Sequence, residues 1–454
     1  MTDHQTFAIE VFDKIPAYRA IVRQATGKDD MPGKFDRLPL LTKQNYLLVY
    51  PLGELAREED MGRFHLIGAS SGFSKTGAVY WPKRPCDEKD YMKSIETMLA
   101  DCYDIGRKRT LCLECLAFGM WIGGMQIAAA LRGIAVGGRF PFTLATPGLD
   151  IKAAVKIINE FHRYFDRILL LTNPSNIPLF TALLRDANVP LPAGTVSFPV
   201  VGEYYTETFR ERVAEEYGHP LDSPFVVWTG YGSADTGDIG AETAATIALR
   251  KFCHRNADVC RQLFETVSAP MILALSPQCY IEIIDGEIVV TKDQFIPLVR
   301  YNTRDRGMLL AKGELTGIVP EKIRSGLPEK MICVFGRMDN AVIFYGTNLM
   351  IDDINTYLLS LGREHGYGGL FTVCEDHSLG FNRLEFTIYV TQRLAGDAEW
   401  FRDRLVDYLC AGSSEFKIKY QNLSASVGVP LITVRTEDIK EIDPKVKHRF
   451  IINK

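Results

Sequence analysis

Between Asp87 and Ile105, apolar residues recur at helical spacing through Tyr91, Ile95, Met98, Leu99 and Cys102, with polar residues between them. That spacing predicts an amphipathic helix. The pattern then changes. Leu111 to Cys115 is short and mostly apolar, which suits a buried strand, and Trp121 to Arg132 returns to the helical period. Ile134-Ala135-Val136 reads as another strand. Helices over Ala153 to Phe165, 176–186 and 206–217 then alternate with strands over Ile168 to Leu171, Thr195 to Val201 and Phe225 to Thr229. Strands that alternate with helices predict βαβ units and a parallel sheet.

From about residue 278 the texture is different. Tyr280 to Ile284 and Glu287 to Thr291 are short strands joined by Asp285-Gly286, a hairpin signal, so an antiparallel section follows the parallel one. A polar stretch from Arg324 to Lys330 leads to a strand at Ile332 to Phe335 and then to Gly336-Arg337-Met338-Asp339-Asn340, which reads as a boundary. The expectation is an α/β protein of two parts. Residues 1–335 form a large domain of mixed and parallel sheets flanked by helices, with the antiparallel β section. Residues 336–454 form a small, mobile α+β C-terminal domain.

Composition narrows the class. A chain of 454 residues with 46% hydrophobic and 24% charged residues is that of a soluble globular protein. A net charge of −4 leaves no footprint for nucleic acid or an anionic membrane. No apolar run is long enough to span a bilayer, and Met1-Thr2-Asp3-His4-Gln5 lacks the features of a signal peptide, so a cytoplasmic location is expected. Among ten cysteines, Cys112 and Cys115 form a C-x-x-C without a second pair, and Cys253, His254 and Cys260 lack an evident fourth ligand. Buried thiols are the simpler reading, with a structural zinc left open.

Chemistry concentrates in a few stretches. Gly68 to Gly77 lies between two short strands and gathers glycines, hydroxyls and Lys75, a combination that suits a polyanion; a solvated hairpin turn is the plainer alternative. It is not a P-loop: Phe73 occupies the second glycine position counted from Gly68, and Ala78-Val79 stand where Lys and Ser/Thr are needed counted from Gly72. Gly202-Glu203 follows an apolar strand, where open α/β sheets place ligands; Glu203 also suits a helix start. Tyr231-Gly232-Ser233-Ala234-Asp235 follows the next strand. Pro297 to Asp305 ends in a carboxylate whose two oxygens could each accept a hydroxyl proton.

In the same order and at similar intervals, these stretches resemble the phenylacetate–coenzyme A ligases of the adenylate-forming superfamily, over nearly the whole chain. Ala69-Ser70-Ser71-Gly72 matches the family's phosphate loop, after which Phe73 and Lys75-Thr76-Gly77 depart from it. Tyr231 to Asp235 resembles Y-G-[LMS]-[ST]-E, and Pro297 to Asp305 resembles P-[VL]-[IV]-R-Y-x-T-x-D almost residue for residue. Gly336 to Asn348 resembles G-R-x-D-[DN]-x(5)-G-x-N, and Asp443 to Phe450 resembles the family's tail.

The resemblance implies nucleotide binding by Ser70, Ser71, Gly72, Ser74, Lys75, Thr76, Gly202, Glu203, Tyr231, Gly232, Ser233, Asp305 and Arg337, with Mg²⁺ on Asp235. It implies a hinge at Asp339 and a catalytic lysine at Lys445, with Lys447 as a rival because Pro444 replaces the usual glycine. Phe118, Trp121, Gly123, Gly124 and Tyr204 would line the acyl pocket, and the paired aromatics suggest an aryl or arylacetic acid, unless they are core residues at a Gly-rich helix start. The implied activity is ATP-dependent conversion of a carboxylic acid to an acyl-adenylate and transfer to coenzyme A. Transfer to an amine, a carrier protein or another nucleophile is an alternative, and a non-catalytic nucleotide-binding relative is a second. The expected partner is a small carboxylic acid; the resemblance leaves room for a homodimer and a carrier protein.

Overall fold

The computed structural model describes residues 3–452 apart from 29, 70–78, 120–121, 267, 338–340, 345–346, 362–364, 377–382, 413–415, 418–419, 422–423, 425–429, 444–447 and 449. The alternation of apolar periods resolves into strands β1 (Leu66–Ala69), β2 (Tyr80–Lys83), β3 (Thr110–Glu114), β4 (Phe142–Ala145), β5 (Arg167–Leu171), β6 (Val196–Val200) and β7 (Val227–Ser233). There follow β8 (Gly237–Ala241), β9 (Met271–Leu275), β10 (Cys279–Ile284), β11 (Glu287–Lys292), β12 (Leu298–Ala311) and β13 (Lys330–Arg337).

Eleven of these make one mixed sheet in the order β10-β11-β12-β13-β9-β8-β7-β6-β5-β3-β4. From β7 to β4 every pairing is parallel, and from β7 to β10 every pairing is antiparallel. The parallel half is flanked by helices such as Pro85–Tyr103, Ile122–Val136 and Ile177–Asp186, as crossover connections require. β1 and β2 pair separately, so the stretch 70–78 does connect two short antiparallel strands. The hairpin at Asp285-Gly286 is present, and both residues adopt positive φ (53° and 78°), as a two-residue turn needs.

One expected strand is overturned. Ile134-Ala135-Val136 belongs to the helix Ile122–Val136, because Ile134 extends the buried stripe of Ile127 and Leu131 by another turn. The strand comes later, at Phe142–Ala145. Cys112, Cys115, Cys253 and Cys260 are free thiols buried in apolar clusters, and no group of three metal-ligating side chains occurs among the described residues. No helix among them is long and apolar enough to cross a membrane.

A smaller C-terminal region carries β14 (Ala341–Phe344), β15 (Thr347–Met350) and a three-stranded sheet of β16 (Tyr367–Asp376), β17 (Arg383–Val390) and β18 (Ile432–Asp438). Its apolar side continues the core of the parallel half: Tyr367 and Phe371 share one buried cluster with Ile177, Phe180 and Phe209. Arg212 donates to the Tyr367 carbonyl, and Lys440 pairs with Asp186 at the margin of that contact.

Two polar features fasten the large sheet. At the seam between its halves, Glu242 follows β8 and is fully buried with Arg210, Arg250 and Glu207. Its carboxylate accepts from Arg210, from Arg250 at 3.4 Å, from the Tyr205 hydroxyl at 2.9 Å and from the Thr229 amide at 3.1 Å. Elsewhere Arg300, at φ +51°, turns its guanidinium toward the chain's first helices. It donates to the Asp36 and Leu38 carbonyls (2.8 and 2.5 Å) and to Glu282 (3.1 Å), while Leu41 bridges to Tyr301.

Candidate active site

The antiparallel half is bent by irregular pairing, with register shifts in β11–β12 and at Arg306–Gly307 between β12 and β13. Gly307 sits in the second of these; a Cβ there would lie 2.5 Å from Ile288 and 3.0 Å from the Cys333 carbonyl. The bend matters because β7 and β12 are four places apart in the sheet yet their side chains meet. The Tyr231 hydroxyl donates to Asp305 at 2.7 Å, across 74 residues of sequence, and the Tyr301 hydroxyl donates to Asp235 at 2.6 Å. Burial and the adjacent carboxylate push both phenols well above their ordinary range, so each is a neutral donor.

The turn between β7 and β8 holds Asp235 from several sides. Gln294 donates to the Asp235 carbonyl at 2.7 Å, and the Ser233 and Thr236 hydroxyls share a 3.0 Å hydrogen bond. Gly232 permits the tight return: a Cβ there would stand 2.2 Å from the Gly237 carbonyl oxygen. Asp305 is steadied by its own amide, which donates to Thr303 Oγ1 at 3.2 Å, and Arg337 lies directly opposite it in the β12–β13 register. A single carboxylate beside hydroxyls, with no further metal-ligand cluster around it among the described residues, is the donor set that Mg²⁺ uses when phosphate oxygens and water complete its shell. Asp235 fits that role.

One apolar cluster draws other candidate stretches to this place. It contains Val79 and Trp81 beside the 70–78 stretch, Ile122 at the helix start, and Tyr301, with Ala234 packed against it. Gly68 on β1 lies so close to Ile122 that a Cβ would stand 2.4 Å from it. Phe118, half-buried, packs on Gly148, and Gly124 packs beneath the Ala117 carbonyl, while Gly123 faces open space. The start of the helix Ile122–Val136 therefore adjoins β1, which leads into the glycine- and serine-rich stretch.

Other candidate residues have partners of their own. Glu203 accepts from both the Ser175 amide and hydroxyl at 3.0 Å, which ties it to the turn Pro174–Asn176, and Gly202 before it needs its positive φ of 83°. The Tyr204 hydroxyl donates to the Ala269 carbonyl at 3.1 Å, and its ring lies under Arg250, 5.5 Å away. Ser70, Ser71, Gly72, Ser74, Lys75, Thr76, Trp121, Asp339, Lys445 and Lys447 lie outside the described residues. Sequence reasoning missed Tyr301 and Gln294, the two side chains that fix Asp235. Tyr301 stood within a quoted motif, but no periodicity signals a contact across 66 residues.

No protein-family model and no curated protein matches the sequence. Solved structures do. A 2-hydroxyisobutyryl-CoA ligase in the postadenylation state, in complex with 2-HIB-AMP, aligns with TM-score 0.67 at 15% identity, over 99% of this chain and 88% of that one. The chain has the fold of the adenylate-forming ligases. The same ligase in the thioesterification state, with 2-HIB-AMP and CoA, aligns with TM-score 0.53 at 14% identity over the same shares. An acyl acid amido synthetase in complex with 2,4-DB aligns with TM-score 0.54 at 13% identity, over 90% of this chain and 82% of that one. Within the adenylate-forming fold, this chain thus superimposes better on the postadenylation arrangement than on the thioesterification one.

Proposed function

We propose that this protein activates a carboxylic acid with ATP and passes the acyl group to coenzyme A, in the manner of the phenylacetate–coenzyme A ligases. The observation that carries the reading is the meeting of Tyr231 with Asp305, with the Arg337 position opposite. Two distant stretches supply, at one place, an aromatic face for a base and a carboxylate for ribose hydroxyls. In the first step an oxygen of the substrate carboxylate bonds to the α-phosphorus and pyrophosphate leaves with the electron pair of the broken P–O bond. In the second, the thiol sulfur gives up its proton and bonds to the acyl carbon, and AMP leaves with the electron pair of the broken C–O bond.

The chain's own work is positioning and charge neutralisation. Asp235, aimed by Tyr301 and Gln294, would hold Mg²⁺, which when bound offsets phosphate charge. The stretch 70–76 would hold the β and γ phosphates, Gly202-Glu203, Gly232 and Ser233 would border the nucleotide, and Lys445 would approach the α-phosphate. Phe118, Trp121, Gly123, Gly124 and Tyr204 would line the acyl pocket. We place the division between the two parts at 335–336, near the end of β13, with Asp339 as the hinge. The better alignment with the postadenylation arrangement supports a second, rotated state for transfer.

Acid-dependent exchange of pyrophosphate into ATP tests the reading. Wild-type protein should catalyse exchange with some member of a carboxylic acid panel, and Lys445→Ala should abolish it while sparing thioester formation from supplied acyl-adenylate. If Lys447→Ala gives that result instead, the tail is shifted by two residues. Asp339→Pro should depress one half-reaction far more than the other. Exchange with no acid at all overturns the proposal. A second reading, transfer to an amine, is kept because the amido synthetase aligns as well as the CoA-bound ligase does; amide formation without thioester formation would select it.

A further inference from the structure

At the carboxyl end of β3 stands Glu114, 0% exposed, and neither of its carboxyl oxygens has a hydrogen-bond partner among the described residues. The Leu116 amide lies near enough to favour the ionised form slightly but outside hydrogen-bonding geometry. The backbone around it is fully engaged: Gly148 donates to the Glu114 carbonyl at 3.2 Å, and Cys115 donates to Leu171 of β5 at 2.8 Å. The orphaned side chain is therefore not a by-product of a poorly paired strand. Buried polar atoms without partners are rare, since water or protein normally satisfies them, and an apolar residue would fill the same space without loss.

Position says what the group is for. Side chains alternate along a strand, so Glu114 shares a face with Cys112, which packs in one cluster with Leu116 and with Ile127 and Leu131 of the helix Ile122–Val136. The connection from β3 to that helix carries Phe118, and the first turn of the helix carries Gly123 and Gly124. β3, β5, β6 and β7 are parallel, so their carboxyl ends share one edge, and ligands of open α/β sheets bind there. Gly202-Glu203 follows β6 on that same edge, two strands away, a separation of about 10 Å.

We propose that Glu114 is a specificity residue at the inner end of the acyl pocket, completed by a hydrogen-bond donor carried on the acyl group of the substrate. This rests on the adenylation reading and narrows it: the acid bears a hydroxyl or an ammonium group rather than being wholly apolar. Burial pushes the Glu114 carboxyl up to about 8, so at neutral pH it can accept from and donate to a hydroxyl. An ammonium group would instead draw it into its charged form.

Matched acids that differ only by a hydroxyl, an amine or neither distinguish the cases. Their affinities are measured by calorimetry in the full chain, beside pyrophosphate exchange. Wild type should prefer a donor-bearing acid by about 10-fold or more, the worth of roughly one hydrogen bond, and Glu114→Leu should erase that preference. Glu114→Gln should keep it for a hydroxyl and lose it for an ammonium group, which identifies the donor. Equal binding of the matched acids by wild type, or an unchanged preference in Glu114→Leu, overturns the inference and leaves a structural role. Selective binding that Glu114→Leu abolishes, without exchange by any acid, upholds the inference and rejects adenylation. No binding of any acid rejects both.

Discussion

Glu242 and Glu114 are both wholly buried carboxylates on the large sheet, and they are handled in opposite ways. Around Glu242 the chain supplies two guanidiniums, a phenol and an amide, so that the charge closes the seam between the antiparallel and parallel halves. Around Glu114 none of the described residues supplies a partner with hydrogen-bonding geometry. Burial is identical in the two cases; compensation is not. A charge that the fold needs is surrounded by its own partners, whereas a polar group left without them marks a place that something from outside can complete. Asp305 and Asp235 lie between these extremes, each steadied by one tyrosine at the bend of the antiparallel half.

The sharpest way to break the comparison is to remove the compensated group. Glu242→Ala would leave Arg210 and Arg250 buried without their shared acceptor, and urea unfolding should show a loss on the order of 3–5 kcal/mol. Glu114 should behave in the reverse sense, through pH. Its carboxyl is raised from 4.5 in the unfolded chain to about 8 in the fold, so the folded state binds the extra proton in that window. Its contribution to stability should therefore be fully present below 4.5, be lost as pH rises toward about 8, and level off above it. The fall should be on the order of a few kcal/mol at most, and Glu114→Leu should flatten it. Asp305→Ala should leave the fold intact and weaken ATP binding, each lost charge-assisted bond contributing roughly 1.5–3 kcal/mol; unchanged affinity in a folded variant would remove Asp305 from the site. The smallest effect belongs to the exposed pair Lys440–Asp186. Either alanine variant should shift unfolding by less than about 1 kcal/mol, and by less again at high salt.

Much of the parallel half was legible because its signal is local. The helix Pro85–Tyr103 and the strands β3, β5 and β6 announce themselves within short stretches, as does the Asp285-Gly286 hairpin in the antiparallel half. Ile134-Ala135-Val136 misled because three apolar residues fit either period, and packing against Ile127 and Leu131 decided for the helix. The motifs around Tyr231 and Asp305 were visible as separate stretches, but their contact was not, since it depends on how irregular pairing bends the sheet. Glu114 was passed over as one polar residue in an apolar strand. Nothing in a sequence tells a compensated buried acid from an orphaned one; that requires every neighbour's position.

The clamp at Arg300 has a consequence in time. Its guanidinium holds the carbonyls of Asp36 and Leu38, residues made some 264 positions earlier, and the cluster around Phe7, Phe12, Tyr18 and Tyr46, which Trp81 and Ile122 join first, is completed by Phe295, Leu298 and Tyr301. At about 5–20 residues per second, a ribosome takes on the order of 10–50 seconds to span that distance. Throughout that interval the surface on which the first helices settle is incomplete, so part of their aromatic face is expected to stay available to other nascent chains and to chaperones. The protein therefore completes its beginning late, and its yield in a cell should depend on what shelters those helices while they wait.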